Sequence, residues 1–269
     1  MHHDTSQPRG GTVYSRGGGL SGARVWLTGA SSGIGEALVP ELVRRGARLA
    51  ISARRGELLD AIAARYPPGQ VVAVPHDVTD RSAVAEAAAG IELLWGGIDL
   101  AIFNAGTHQP VSGTSLDAAD FEHLIRVNYL SAIYGIEAVV PGMLRQGRGH
   151  IAGVASVAGY RALPTAAAYG ASKAALILAL DALRFDLAPR GIDVTVVNPG
   201  FVRTPLTDRN TFHMPMRIDA DHAAQLIVRG LERRATEIHF PAAFSWLMKT
   251  LRVLPYPLYA ALVGRATKK

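Results

Sequence analysis

The sequence contains no cysteine and only four lysines, and both scarcities limit what the chain can do. Without cysteine, disulfides, thiolate catalysis and cysteine-ligated metal sites are excluded. Of the 28 basic residues among 269, the other 24 are arginine; the basic residues are scattered along the chain, whose net charge is +6. A nucleic-acid-binding protein would gather that charge on one face, so we expect no nucleic-acid partner. The internal Lys173 stands out in so arginine-rich a chain, which indicates that a compact ammonium is needed there.

Other familiar functional patterns are missing as well. The nine histidines stand singly, without H-E-x-x-H or any pair at ligand spacing, so the sequence predicts no metal site. The G-x-S-x-G motif is absent, which argues against a serine hydrolase of that type. Residues 1–21 are rich in Gly, Ser, Thr and Arg and lack the apolar stretch of a signal peptide, so we predict a disordered N-terminal tail and a cytoplasmic protein, with peripheral membrane contact as an alternative.

Short apolar runs alternate with longer helical patterns from residue 23 to residue 240. With 49% hydrophobic and 19% charged residues, the chain can bury a large core. Buried-type strands separated by helices indicate βαβ units and a parallel sheet. The prediction is an α/β protein with a Rossmann-type, doubly wound parallel sheet of about seven strands and helices on both faces. We expect one domain over residues 22–240, with long helical regions around Leu116–Arg145 and Thr165–Pro189, and an amphipathic C-terminal extension over residues 241–269 that packs on this domain.

A glycine-rich segment, Thr28–Gly35, lies between the first predicted strand and the first helix. Glycines there allow a tight turn and the close approach of a pyrophosphate, while the helix that follows offers free N–H groups and the positive end of its dipole. Glycine-rich turns also occur at such junctions for purely structural reasons. The position at the first crossover nevertheless predicts dinucleotide binding by the residues of this turn: Gly29, Ser31, Ser32, Gly33, Ile34 and Gly35.

The G-x-x-x-G-x-G spacing resembles that of the short-chain dehydrogenase/reductase family, and the resemblance extends over roughly Ala23 to Phe240. Further motifs match in order at the ends of predicted strands: Asp-Val, Asn-Ala-Gly, and Pro-Gly followed by Thr. The family contacts adenine at the first, lines the cofactor site with the second, and approaches the nicotinamide with the third. The implied cofactor-binding residues are Asp77, Val78, Asn104, Ala105, Gly106, Pro199, Gly200, Val202 and Thr204.

The end of the second predicted strand indicates which nicotinamide cofactor is used. In dinucleotide folds an acidic residue here holds the ribose of NAD, whereas a basic residue accommodates the 2′-phosphate of NADP. This chain has no carboxylate after Ala53, and Arg54 offers a guanidinium fork suited to phosphate, with Arg55 beside it. We therefore predict NADP(H) as the cofactor. The alternative is a solvated arginine pair at the start of the next helix.

The chain also carries the chemistry-bearing residues that the resemblance implies. Tyr169 and Lys173 are four residues apart in a predicted helix, which places them on one face. By position in the family, Tyr169 is the general acid/base, Lys173 lowers its pKa and binds the nicotinamide ribose, Ser156 binds the substrate oxygen, and Asn128 holds a water linked to Lys173. Nearby positive charge is expected to lower the tyrosine pKa from its usual value near 10. The family often has serine before the catalytic serine, where this chain has Ala155.

These observations predict an NADP(H)-dependent oxidoreductase that interconverts an alcohol and a carbonyl. A non-catalytic NADP-binding regulator is the alternative. The apolar residues in the loop Phe201–Ile218 predict a lipophilic or bulky substrate, although methionine and phenylalanine are also ordinary core residues. His108 and His213 are candidates for substrate contact, but we favour packing or surface roles for both. The predicted pocket residues are Thr107, His108, Gln109, Tyr160, Leu163, Phe212, His213, Met214 and Met216.

Two expectations concern surfaces. The two long helices carry many small and apolar residues, which predicts a homodimer or homotetramer built on them, with burial inside one subunit as the alternative. The extension over residues 241–269 is interrupted by Lys249, Arg252, Pro255 and Pro257, so it does not predict a membrane span. Two amphipathic pieces are expected, the first with an apolar stripe of Trp246, Leu247, Leu251 and Leu254. They would pack on the domain as a lid or subunit contact, or dock on an anionic membrane.

Overall fold

The computed structural model describes residues 19–209, 214 and 216–267. Nine strands and nine α-helices lie within these residues. The strands are β1 (Arg24–Thr28), β2 (Arg48–Ser52), β3 (Val71–Ala73), β4 (Leu100–Phe103), β5 (Gly149–Val154), β6 (Ile192–Pro199), β7 (Val202–Arg203), β8 (Ile218–Asp219) and β9 (Glu237–Phe240). The helices are α1 (Gly33–Arg44), α2 (Gly56–Ala63), α3 (Arg81–Trp95), α4 (Ala118–Ile125), α5 (Ser131–Gln146), α6 (Ala167–Leu187), α7 (Ala220–Glu232), α8 (Ala242–Val253) and α9 (Tyr256–Thr267).

Seven of the strands form one parallel sheet in the order β3-β2-β1-β4-β5-β6-β9. Alternation along β1 shows how the sheet builds two cores: Val25 and Leu27 join the cluster with α1 and α7, whereas Trp26 points to the cluster with α3, α5 and α6. All three side chains are fully buried, as expected for a strand covered on both faces. The doubly wound α/β sheet predicted from the sequence is confirmed.

The strand order reverses between β1 and β4, and this position fixes where a ligand can bind. β1 pairs with β2 on one side and with β4 on the other, so the connections leave in opposite directions. In doubly wound sheets the crevice at the carboxyl ends of such a strand pair is the usual ligand site. The turn after β1 starts at Gly29, and the turn after β4 starts at Asn104, so both predicted motifs lie at this crevice.

The helical region predicted over about Leu116–Arg145 is present from Ala118 to Gln146, but it is not a regular α-helix throughout. The structure has α4, then a π-helical turn over Arg126–Leu130, then α5. The hydrophobic period cannot reveal one extra residue in a turn, because the pattern continues on both sides. By length and composition the combined stretch Ala118–Gln146 could cross a membrane, and 44% of its most apolar window is buried in the domain; core helices of globular proteins pass the same test of length and composition.

The predicted start of the domain needs correction. Leu20, assigned to the N-terminal tail, is fully buried in the core, and the N–H of Gly22 donates to the Gly46 carbonyl. The structure does not describe residues 1–18, so that part of the predicted tail lies outside the described residues.

In α8 the buried residues are Phe244 and Met248, whereas Trp246 and Leu247, predicted in the apolar stripe, face outward. The reason is that the helix packs against β9 and the loop after β6 with the side that carries Phe244 and Met248.

Candidate active site

The turn after β1 approaches the turn after β4 so closely that only glycine fits. A Cβ at Gly29 would lie 2.7 Å from the Cα of Ala105, and Gly29 has a φ of +70°. A Cβ at Gly35 would lie 2.0 Å from the Gly29 carbonyl oxygen. The side-chain amide of Asn104 links the two turns, because its nitrogen donates to the carbonyls of Thr28 at 3.3 Å and Gly29 at 3.1 Å. Glycine is therefore required at both positions by the close packing of the two turns. The sequence predicted such glycines for a dinucleotide-binding turn, which we call the glycine cradle.

The N-terminus of α1 opens into the same turn. Gly33 starts this 12-residue helix with a φ of +59°, and a Cβ there would lie 3.1 Å from the Cγ2 of Thr204. Ser32, the residue before the helix, makes no side-chain cap hydrogen bond. Free N–H groups at the first turn of a helix favour an anion, and the glycine keeps that space open. The arrangement suits the pyrophosphate of a dinucleotide.

A cleft of about 890 Å³ runs from this turn along the carboxyl edge of the sheet. It gathers nearly every residue that the sequence predicted for cofactor binding or catalysis. Gly35 and Asn128 are the exceptions: neither lines the cleft, but both contact the turns that do. The predicted residues that line the cleft are Gly29, Ser31, Ser32, Gly33, Ile34, Arg54, Arg55, Asp77, Val78, Asn104, Ala105, Gly106, Ser156, Tyr169, Lys173, Pro199, Gly200, Val202 and Thr204.

One end of the cleft is basic. Arg54 and Arg55 follow β2 and are both exposed, and the Arg55 guanidinium donates to the Ser31 hydroxyl at 3.3 Å. Opposite them, Asp77 accepts hydrogen bonds from the N–H and the hydroxyl of Thr79. These bonds, together with the nearby Arg54 charge, lower the pKa of Asp77 despite some burial. Asp77 is thus an ionised turn residue, and the guanidinium of Arg54 is left facing the cleft.

The other end holds Ser156, Tyr169 and Lys173. Ser156 follows β5 and accepts a hydrogen bond from the Ala158 N–H at 3.1 Å, which starts a short 3₁₀ turn over Val157–Gly159. The hydroxyl of Ser156 also lies within hydrogen-bonding reach of the Tyr169 phenol. Lys173, one turn further along α6, donates from Nζ to the Val154 carbonyl at 2.8 Å and lies 5.9 Å from the Tyr169 ring centre. The three side chains predicted to act together therefore meet.

Burial controls the pKa values of this group. It raises the pKa of Tyr169, and the hydrogen bond with Ser156 opposes that rise without cancelling it. Burial also lowers the pKa of Lys173 to about 8. The sequence predicted that nearby positive charge lowers the pKa of Tyr169. In the protein itself the pKa is raised instead, because the loss of solvation on burial outweighs the other effects.

Asn128 lies in the π-helical turn and has structural partners that the sequence did not suggest. Its Oδ1 accepts from the Thr107 N–H at 2.7 Å, and its Nδ2 donates to the Thr107 carbonyl at 2.9 Å and the Ser172 hydroxyl at 3.0 Å. These contacts fix the turn after β4 against α6. Gly106 fits between them, because a Cβ there would be 3.3 Å from both Asn128 Oδ1 and Lys173 Nζ. π-helical turns are frequent at functional sites, and this one positions the wall of the cleft.

Several lining residues were not predicted. Arg126 and His123 approach the cleft from the π-turn and from α4, and His76 and Thr79 approach it from the turn after β3. Arg126 could have been suspected, since it stands two positions before Asn128. The others depend on how α4 and β3 dock, which no local pattern reveals. No group of three or more potential metal ligands occurs within the described part of the chain.

Some predicted pocket residues lie elsewhere. Thr107 lines the cleft, but Gln109 bonds to Asp120 at the surface. His108 packs edge-on against the Tyr169 ring at 4.7 Å, and burial lowers its pKa. Tyr160 and Leu163 pack against α8 instead of lining the cleft, and the Tyr160 hydroxyl donates to Glu237. Met214 is half-buried and Met216 exposed, and Phe212 and His213 lie outside the described residues.

Comparison with known proteins assigns this architecture. A sequence model described as short chain dehydrogenase matches residues 23–214, which is most of the folded chain. The chain belongs to the short-chain dehydrogenase family. An uncharacterized oxidoreductase of Myxococcus xanthus is 36% identical over 241 residues, 89% of this chain and 95% of that protein. An uncharacterized oxidoreductase of Staphylococcus epidermidis is 34% identical over 206 residues, 76% of this chain and 89% of the relative.

Solved short-chain dehydrogenases have the same fold. One from Streptomyces avermitilis aligns with a TM-score of 0.79 and 26% identity over 92% of this chain and all of the other. One from Burkholderia cenocepacia, solved in complex with NADP, aligns with a TM-score of 0.79 and 28% identity over 93% of this chain and all of the other. This short-chain dehydrogenase is therefore an oxidoreductase of a family that uses nicotinamide cofactors.

Proposed function

We propose that this short-chain dehydrogenase is an NADP(H)-dependent oxidoreductase that interconverts an alcohol and a carbonyl. The observation that carries the proposal is that one cleft joins the glycine cradle and Arg54 at one end to Ser156, Tyr169 and Lys173 at the other. The cofactor, when bound, supplies or accepts the hydride.

The basic end of the cleft supports NADP(H) over NAD(H). Arg54 is exposed there, and no ion pair of its guanidinium occurs among the described residues. A carboxylate that could bind a ribose 2′-hydroxyl is absent from the end of β2, where Ala53 stands. A guanidinium binds a phosphate through charge-assisted hydrogen bonds, which are about twice as strong as neutral ones. The NADP complex of the Burkholderia cenocepacia relative agrees with this proposal.

The chain's own residues have distinct tasks in the proposed reaction. The Tyr169 phenol gives a proton to the developing alkoxide during carbonyl reduction and takes one from the alcohol in the reverse direction. The Ser156 hydroxyl holds the substrate oxygen beside it. Lys173, held by the Val154 carbonyl, keeps positive charge near the phenol and also lines the cleft. The cleft lining also includes apolar residues that suit a lipophilic substrate: Val127, Val154, Ala155, Pro205 and Leu206.

The test is a comparison of NADPH and NADH with a panel of aldehydes and ketones. NADPH should be preferred, and Arg54→Asp should remove or reverse the preference, since each hydrogen bond to a charged group contributes about 1.5–3 kcal/mol. The matched control is Arg190→Asp, an exposed arginine that does not line the cleft. Equal catalytic efficiency with both cofactors in the unmodified enzyme would overturn the NADP assignment.

A protein that binds NADPH tightly but oxidises it with no member of the carbonyl panel would instead be a non-catalytic regulator. Within the panel, alkyl aldehydes and ketones of increasing length test the apolar pocket. The ratio kcat/KM is expected to rise with chain length. A flat or falling series would contradict a lipophilic substrate while leaving the reaction class intact.

A further inference from the structure

The exposed residues of α8 are mostly apolar, and Arg252 in its last turn is the exposed charged residue among them. The other exposed residues are Ala242, Ala243, Trp246, Leu247, Thr250 and Val253, which we call the α8 outer face. Trp246 is 60% exposed and Val253 79% exposed. The side that packs on the domain is also apolar, through Phe244 and Met248. A surface helix of a globular protein normally has polar residues on its outward side, so this helix is built for contact on both sides.

The helix that follows extends the same kind of surface. In α9, Tyr256, Leu258 and Leu262 are exposed, and Arg265 is its one charged residue. The two helices together therefore present six large exposed apolar side chains from a segment of fewer than 30 residues. Such clustered exposure, unlike a scattered leucine, marks an interaction surface.

The charge of this segment indicates what the surface contacts. Residues 241–269 contain five lysines and arginines and no aspartate or glutamate, so they account for nearly all of the net charge of +6. Lys249 pairs with Glu237 at 2.6 Å, whereas Arg252 and Arg265 make no ion pair within the described part of the chain. A symmetric contact with a second copy would bring these cations together without a carboxylate from the same segment to neutralise them. An anionic lipid surface attracts them instead.

We propose that the α8 outer face and the exposed apolar residues of α9 dock this protein on an anionic membrane surface. The helices have 12 residues each and lie along the surface, since neither reaches the length of about 20 residues needed to span a bilayer. Trp246 and Tyr256 are suited to the boundary between headgroups and acyl chains, where amphipathic rings are enriched. The basic side chains Arg252 and Arg265 contact the headgroups.

Helices α8 and α9 are linked by hydrogen bonds and ring stacking to the segment that follows Ser156. Arg161, five residues after Ser156, donates to the carbonyls of Leu251 at 3.1 Å and Leu254 at 2.9 Å and also to that of Arg252. Its guanidinium stacks over the Tyr259 ring at 4.2 Å. Docking would thus hold the substrate end of the cleft next to the bilayer, where an apolar substrate is concentrated. The docking itself does not depend on the proposed cofactor or reaction.

The test is co-sedimentation of the full-length protein with vesicles of phosphatidylglycerol and phosphatidylcholine, compared with vesicles of phosphatidylcholine alone. Binding is expected to the anionic vesicles at low salt and to weaken at high salt. Arg252→Glu should weaken binding by about fivefold or more, the factor that one basic residue contributes near such a surface. Trp246→Glu should weaken it by more than about tenfold, because it places a charge in the apolar contact.

The matched control is Leu93→Glu on α3, where the leucine is 90% exposed and remote from the extension in sequence. It should bind vesicles like the unmodified protein. Unchanged circular dichroism and thermal unfolding would show that all three variants fold. The proposal is overturned if the protein ignores anionic vesicles at low salt, or if Trp246→Glu binds them as well as the control. If Trp246→Glu instead halves the mass measured by light scattering without any vesicle binding, the face belongs to a second copy and the membrane proposal fails.

Discussion

At the scale of single residues, Tyr169 is the side chain on which the proposed chemistry depends most directly. Its phenol is buried beside Ser156, and its ring packs edge-on against His108 at 4.7 Å. Phenylalanine keeps the ring and removes only the hydroxyl. Tyr169→Phe should therefore lower kcat by about 10²–10⁴, the usual contribution of a general acid/base, while leaving NADPH affinity close to normal.

The measurement is steady-state NADPH oxidation together with a fluorescence titration of NADPH binding. Tyr66→Phe is the control, because Tyr66 lies after α2 and does not line the cleft. Retention of more than about a tenth of the activity by Tyr169→Phe would remove the tyrosine from its assigned role.

Lys173 is expected to serve both the cofactor and the fold. Its Nζ donates to the Val154 carbonyl at 2.8 Å, and burial lowers its pKa to about 8, so the side chain stays largely protonated at neutral pH. Lys173→Met should reduce turnover and also raise the Kd for NADPH. It should cost about 1–3 kcal/mol of stability as well, because the buried carbonyl loses its partner.

These effects are separated by measuring thermal unfolding, NADPH affinity and kcat on the same preparation. Tyr169→Phe provides the comparison, since it should reduce kcat alone. An unchanged Kd for NADPH in Lys173→Met would contradict the assignment of the ammonium to the cofactor.

At the scale of secondary-structure elements, the turn between β1 and α1 explains how a small change can abolish binding. A Cβ at Gly35 would lie 2.0 Å from the Gly29 carbonyl oxygen, so Gly35→Ala must move the first turn of α1 away from the cradle. We expect the variant to fold, since the sheet is untouched, but to bind NADPH at least about tenfold more weakly, a loss of roughly 1.4 kcal/mol.

Calorimetric titration of NADPH measures that loss. Gly90→Ala is the matched control, because a Cβ at Gly90 in α3 meets nothing within 4 Å. Alanine is the better helix former there, so this control should be unchanged or more stable by about 0.5–1 kcal/mol. Normal NADPH affinity in Gly35→Ala would show that the cradle does not hold the cofactor.

The same elements show which features a sequence can predict. Strand ends, the glycine turn and the pair Tyr169 and Lys173 are encoded by local periodicity and spacing, so their positions at the cleft could be predicted. The π-helical turn around Asn128 could not, because one extra residue leaves the apolar pattern on both sides unchanged. Tyr160 was placed in the pocket because it follows Ser156, yet it bonds to Glu237, 77 positions away. Such a partner is set by how β9 and α8 dock.

At the scale of the whole molecule, α6 presents a second exposed apolar surface, distinct from the C-terminal helices. Small and apolar residues recur along its outward side at spacings of three and four: Ala167, Ala171, Ala175, Leu178, Ala182 and Phe185. Leu178 is 73% exposed and Phe185 82% exposed. Alanines allow a partner helix to approach closely, and the two larger side chains fill the space between them, so this stripe is suited to a symmetric helix pair.

We therefore expect a homodimer or homotetramer in which α6 packs on its symmetry mate. Phe185→Glu combined with Leu178→Glu should convert the oligomer to smaller species, because four carboxylates would be buried at each contact without partners. Light scattering at micromolar concentration measures the mass. Leu93→Glu, at an equally exposed leucine on α3, should leave the mass unchanged. A monomer mass for the unmodified protein would contradict this expectation, because α6 would then not pack on the α6 of a second copy.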